Sequence, residues 1–459
     1  MPPVGNPHTN IIPLQPQYEV ERDTKTRTSS FCENASAGQC LPPQVGDQLF
    51  VISTYSRFDN LAHGPFGTES KFGLYTYGFN SSNGTMTLLS VGGSDVVNPA
   101  FSRMHRDRNI IYCCTEDIEE NGRVLGFKIE QDGKLTKIAD VDASGTSTCY
   151  LTITNSNHMI VANYWNSTLV TLPIHQDGTL GSAIATYDPN EGREMKAKVG
   201  SHVNHSNNDN DTIAERQADP HSHAIVVDPF EGVIAYVPDL GCDLIRQFYF
   251  DKATGSFTPL SAIPSGLQGG TPDGPRYIDF HPHLPIAYVI NELSSSIAVF
   301  KIDREKISSI ASSTSDGSPL PPEDRACQTM SMVQNIATIP SAFPLELNTC
   351  GRICSHPSGR FVIVSNRGHE SIAILKVSTK KGMEGTLYQV GFFHTFGLTP
   401  RHFQFDQSGQ FLIVANQDSD SVNVFSFNLS TGELKFTGHK YHCPSPNFVG
   451  CVGVFKDED

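Results

Sequence analysis

Short runs of alternating apolar and polar residues recur along this chain, and four of them can be laid over one another. They are HAIVVDPFEGVIAYVPD from His223, RYIDFHPHLPIAYVINE from Arg276, GRICSHPSGRFVIVSNR from Gly351 and RHFQFDQSGQFLIVANQ from Arg401. In each, the last residue falls sixteen positions after the first. Ala100 to Glu116 keeps that spacing, and Cys149 to Tyr164 keeps it with one residue fewer. A period of two reads as a half-buried strand, and the DP, HP or SG step between the two apolar runs reads as a tight reversal. A third run of similar design follows: DLIRQFYFDKATGSFT, SIAVFKID, SIAILKVS and SVNVFSFNLSTGELK. Several of these lead through a Gly-bearing hairpin into a short fourth strand.

Four antiparallel strands recurring about every fifty residues are the mark of propeller blades. The anchors stand at positions 100, 149, 223, 276, 351 and 401, and two intervals are lengthened by insertions near 190–219 and 303–347. Both insertions are expected as loops on the faces of the disc. Two strands remain over, QLFVISTYS near the start and NFVGCVGVF near the end. Joined, they make a seventh, composite blade and leave no free sheet edge. The fold expected is therefore all-β: a seven-bladed β-propeller over 47–456, closed by N- and C-terminal strands. A polar, Pro-rich arm over 1–46, read as disordered, precedes it. No long stretch carries a helical period uninterrupted by Gly or Pro.

Composition removes whole classes of function. The 459 residues carry 33 Lys and Arg against 48 Asp and Glu, a formal charge of −15, and no basic run is visible. Nucleic acid is excluded as a partner, because phosphate binding needs clustered cations. No apolar run is long enough to span a bilayer. The arm lacks the charged and apolar blocks of a signal peptide. Eleven cysteines are present, none of them in a CxxC pair, which argues against zinc and for free thiols in a reducing compartment. A cytoplasmic location is expected on these grounds. A closed propeller with no free edge can work as a monomer, although the oligomeric state itself is not readable from the chain. Seven Asn-x-Ser/Thr sequons, together with Cys32 and Cys40 in the arm, leave secretion open.

The repeat also tells where chemistry would sit. The first residue of each unit and the one sixteen later occupy equivalent points, blade after blade, and such points converge on the axis. The first set is Ala100, Cys149, His223, Arg276, Gly351 and Arg401; the second is Glu116, Tyr164, Asp239, Glu292, Arg367 and Gln417. Polar groups gathered at a channel mouth are candidates for a ligand site. Each has a plainer reading. His223 could be a strand-end histidine satisfied by a carbonyl, Arg276 and Glu292 a structural ion pair, and Arg367 a solvated loop charge. His221 and His223 share a strand face and could chelate a metal, but no third ligand is evident, so no metal is expected. Asp239 and Asn366 read as strand-end turn formers. His281, His283 and His356, in the turn on the far side, read as surface residues.

The stretches RQADPHSHAIVVDP, VPDLGCDLIRQF, GPRYIDFHP, YVINELSSSIAVF, VSNRGHESIAIL and VANQDSDSVNVF, in this order, resemble the lactonase family of seven-bladed propellers. That family contains the bacterial-type 6-phosphogluconolactonases and is similar to the fungal carboxy-cis,cis-muconate cyclases. The resemblance runs from about Leu49 to Val454. It implies active-site roles for His223 in the PHxH segment, Arg276 in GPR, Glu292 in NE and Arg367 in SNRG. One departure concerns substrate preference: Arg352 stands where family members commonly carry Glu, and the insertion before it differs in length.

Opening a lactone needs water activated by a base, stabilisation of an oxyanion and a proton for the leaving alkoxide. The resemblance thus implies that His223 and Glu292 share acid–base work. Arg276 and Arg367, with His221 and Arg401, would hold an anionic lactone or sugar acid such as 6-phosphogluconolactone. No cofactor is required. A lactonising cycloisomerase would use the same groups, and a propeller can also serve only as a binding scaffold.

Overall fold

The computed structural model describes residues 47–191, 209–267 and 270–454. The arm and the stretch 192–208 of the first insertion lie outside the described residues. The strands form seven sheets, six of four strands and one of five. Six blades follow the chain in order from the inside outward, beginning with Pro99–Met104, Thr148–Ile153, Val226–Val227, Pro275–Phe280, Thr349–Ser355 and Pro400–Phe405. The seventh takes its inner strand, Pro446–Val454, from the C-terminal end and its next strand, Gln48–Thr54, from the N-terminal end. These two pair antiparallel, with Ile52 opposite Val449, and lock the ring. Closure turns two would-be edges into a ladder, so the ends need no separate protection.

Alternation suggested strands buried on one face, but the central strands are buried on both. Ile286–Asn291, Ile234–Asp239 and His158–Asn163 are buried at every position. Sheets stacked face to face around a ring leave no solvent side for an inner strand. Each Val, Ile or Leu buried there contributes roughly 1.5–3 kcal/mol.

Two of the turn histidines are interior, which corrects the expectation that they lie on the surface. His281 Nε2 meets Gly359 O at 2.8 Å and His356 Nε2 meets Gly409 O at 3.0 Å, so each HP turn is bonded to the turn of the next blade. Gly359 adopts φ +69°, and a Cβ there would stand 2.8 Å from the His281 ring. Only glycine satisfies both conditions. His283 is exposed, as expected.

The insertions are not simply loops. The second holds helix Arg304–Ser313, N-capped by Asp303, whose side chain accepts from Lys306 N at 3.1 Å. Ile307 and Ile310, three apart, face inward and join the core of the neighbouring blades. The same insertion supplies Met330–Ala337, the outer strand of its blade. The first insertion ends in helix Asp209–Arg216, whose last residue reaches Glu292.

Candidate active site

Five of the six residues of the first set are brought to the axis. Ala100, Cys149, His223, Arg276 and Arg401 line one pocket of about 270 Å³, mouth included. Glu116, of the second set, lines it as well. The composite blade completes both sets: Asn447 follows Pro446 as Arg401 follows Pro400, and Tyr55 follows Thr54 at the end of the next strand. Both line the pocket, and so do Tyr277 and His402, one residue inward of Arg276 and Arg401. Gly351 is not on the wall; its carbonyl accepts from Arg276 Nη1 at 2.7 Å.

The central feature is a buried carboxylate held by three guanidiniums. Arg276 Nε lies 2.8 Å from Glu292 Oε2, while Arg216 Nη2 and Arg367 Nη2 lie 2.6 and 3.0 Å from Oε1. Glu292 is 4% exposed. Burial alone would push its pKa up, but Arg216, Arg367 and Arg276 outweigh it and hold the carboxyl well below its usual range. Arg276 is further fixed by stacking 4.4 Å from the Tyr277 ring centre, and Arg367 Nη2 donates to Cys350 O at 2.7 Å. Burial, with Arg276, Arg401 and Arg216 opposing the pull of Glu292, lowers Arg367 to about 10, which leaves it charged at neutral pH.

His223 stands on the pocket wall between the edges of Tyr164 and Tyr277, with ring centres 5.2 and 5.4 Å away. Burial first, and then Arg276, hold its pKa well below the ordinary value. It is a neutral imidazole at physiological pH. Across the pocket, Tyr55 Oη donates to Glu116 Oε2 at 2.8 Å, and the Arg401 guanidinium lies 5.4 Å from the Tyr55 ring centre. Burial raises the Tyr55 pKa well above 10, against the pull of Arg401, so the phenol keeps its proton.

His221 does not reach the substrate space, contrary to expectation. It is 1% exposed, stacks on Tyr164 at 4.8 Å and contacts Tyr164 O through Nδ1 at 3.2 Å. Residues two apart would share the face of a regular strand, but the chain here forms only an isolated bridge, Ser222 to Asp239, and the inner strand begins at Val226. The His221 ring therefore packs on Tyr164 while His223 faces the pocket. Asp239 bonds the His221 amide and Arg246, in keeping with a structural role. Arg352 sits 2.7 Å from His402 Nε2, beneath the pocket.

Sequence reasoning missed Arg216, Tyr55, Tyr277, His402 and Asn447. Arg216 opens the quoted stretch RQADPHSHAIV, but nothing in its local pattern shows that a helix carries it to Glu292. Asn447 had a usable signal, the Pro–polar–aromatic step shared by PRHF and PNFV. No group of three or more His, Cys, Asp or Glu able to hold a metal occurs among the described residues.

Comparisons with known proteins match this architecture. A 6-phosphogluconolactonase of Bacillus subtilis is 27% identical over 351 residues, 76% of this chain and 86% of that protein. One of Formosa agariphila is 25% identical over 369 residues, 79% of this chain and 90% of that protein. Among solved structures, the periplasmic gluconolactonase of Pseudomonas aeruginosa superposes with a TM-score of 0.69 at 21% identity, covering 89% of this chain and 99% of its own. The family model described as lactonase, 7-bladed beta-propeller, matches residues 50–452. On that match, the chain belongs to the seven-bladed β-propeller lactonase family.

Proposed function

We propose that this protein hydrolyses a sugar lactone bearing an anionic group, with 6-phosphoglucono-δ-lactone as the first candidate. The observation that carries the anionic part is a count of charge. Arg276 and Arg401 line the pocket with Glu116, and behind the wall Arg216 and Arg367 join Arg276 on Glu292, which makes four guanidiniums against two carboxylates. The excess of two positive charges, in a chain of net charge −15, suits a dianionic substituent. The names of the Bacillus and Formosa relatives support the same reading.

In this mechanism neutral His223 accepts a proton from water as the water oxygen bonds to the lactone carbonyl carbon. Arg276, buried and aimed at the pocket, stabilises the oxyanion that forms. The ring C–O bond then breaks, and the proton passes from the His223 imidazolium to the leaving oxygen. The product is an open-chain hydroxy acid, which releases a proton at neutral pH. Glu292 is fully occupied by guanidiniums and held ionised. Its role here is to hold Arg276 and Arg367 in place, in preference to proton transfer. Arg367 and Arg401 take the anionic substituent.

The test is proton release from freshly generated 6-phosphoglucono-δ-lactone by wild type and His223→Gln. Turnover well above the spontaneous rate, lost in the variant without loss of folding, is the expected result. A wild-type rate equal to the spontaneous one would remove the hydrolase reading; an unaffected variant would remove His223 as the base.

A further inference from the structure

The chain leaves the closing blade at Tyr55 and re-enters it at Leu74, and the segment between is a strap over the channel mouth. At one end Asn60 Nδ2 donates to Asp117 Oδ2 at 2.6 Å, and Ile118 N donates to Asn60 O at 3.1 Å. At the other, Phe66 N donates to Asp418 Oδ1 at 3.0 Å, and Thr68 N and Oγ1 donate to Asp420 at 2.8 and 2.7 Å. Asp117 and Asp418 directly follow Glu116 and Gln417, members of the second set at the mouth. The strap is thus tied to the two blades that flank its own. Gly67 presses it down: a Cβ there would stand 2.5 Å from Gln417 O.

Between the anchors hangs His63. Its ring centre lies 5.2 Å from that of Tyr55, a pocket-wall residue that also carries Arg401 against its ring. His63 Nε2 is buried and makes no hydrogen bond of good geometry among the described residues, the Gln417 side chain being the polar group within its reach. A buried unpaired polar nitrogen costs about 1–3 kcal/mol, which a ligand atom at that point would recover. Burial, Arg401, Arg367 and Arg276 act to keep the ring neutral, while hydrogen bonding with the Gln417 side chain acts the other way.

We propose that His63 Nε2 donates a hydrogen bond to the anionic substituent of the substrate, a phosphate ester oxygen held from below by Arg401 and Arg367. The strap thereby forms the roof of the site, and His63 is a specificity-determining residue. The proposal rests on the lactonase reading only for the identity of the rest of the substrate.

Inorganic phosphate titrated calorimetrically into the full chain tests it directly, with His63→Ala and His63→Gln as variants. Wild type should bind phosphate, and His63→Ala should weaken binding about tenfold, the worth of one charge-assisted hydrogen bond. His63→Gln, which can present an amide N–H, should recover part of the loss. Equal affinity in wild type and His63→Ala overturns the proposal, as does a wild type that binds no phosphate. Lactone turnover on the same samples separates the two readings. Phosphate binding that depends on His63 without turnover keeps the roof and removes the hydrolase. Turnover with phosphate binding indifferent to His63 does the reverse.

Discussion

Replacing Glu292 by Gln removes the charge on which three guanidiniums converge while keeping the side chain's shape. Three contacts of 2.6, 2.8 and 3.0 Å lose their ionic partner, and the excess positive charge at the site grows by one. Removing one member of a buried pair typically costs about 3–5 kcal/mol, because the partner is left uncompensated. Arg216, with a quarter of its side chain exposed, can swing toward solvent; Arg276, at 3%, cannot. The expected loss of stability at pH 7 is therefore about 3 kcal/mol, the lower end of that range. Its pH dependence follows from the depressed carboxyl pKa. The stabilisation by Glu292 is complete above the unfolded value, near 4.3, and disappears as pH falls through the lower folded value. Denaturant unfolding of both proteins should show a constant gap from pH 5 to 8 that narrows in acid. kcat/KM should fall at least about a hundredfold as Arg276 and Arg367 lose their positions. A variant as stable as wild type with undiminished kcat/KM would refute the reasoning, since the arginines would then need no carboxylate to hold them.

Other consequences can be checked separately. Because burial and Arg276 hold His223 neutral well below its ordinary pKa, kcat/KM should stay flat across the range where a free histidine titrates and decline only in more acid solution; a midpoint near 6.5 would contradict the assignment. Arg216→Ala should raise KM for an anionic lactone several-fold with a smaller change in kcat, since Arg276 and Arg367 still reach Glu292; steady-state kinetics on the purified variant decides it. Gly359→Ala, forced to φ +69° with its methyl 2.8 Å from His281, should lower stability by about 1–3 kcal/mol in denaturant melts and leave KM unchanged, the turn being on the face away from the site. Gly67→Val should lift the strap from Gln417 and weaken phosphate binding in the same calorimetric titration as His63→Ala; unchanged binding would mean that the strap does not roof the site.

How much of this was readable without a structure depends on how far each signal reaches along the chain. Seven blades, their strand order and the closing pair QLFVIST and NFVGCVGV were legible, because a repeat fold restates its pattern every fifty residues or so and neighbours in sequence are neighbours in space. The residues that converge on the axis were legible for the same reason: His223, Arg276 and Arg401 hold one register position in three blades, and the symmetry of a closed ring brings that position to its centre. Burial of His281 and His356 was hidden, since it depends on the turn of the next blade. Helix Arg304–Ser313 was hidden too, behind a Ser-rich composition whose only helical cue is Ile307 and Ile310.

Three matters lay wholly with the tertiary structure. His221 and His223 stand two apart in one motif, yet one is stacked behind Tyr164 and the other faces the pocket, a difference made by what packs against each. Arg216 reaches Glu292 across seventy-six positions, and His63 reaches the mouth from a loop outside the repeat. Periodicity specifies what recurs, because equivalent residues meet equivalent surroundings in every blade. Inserted segments have no counterpart in the other blades, so only the folded chain could set where they lie.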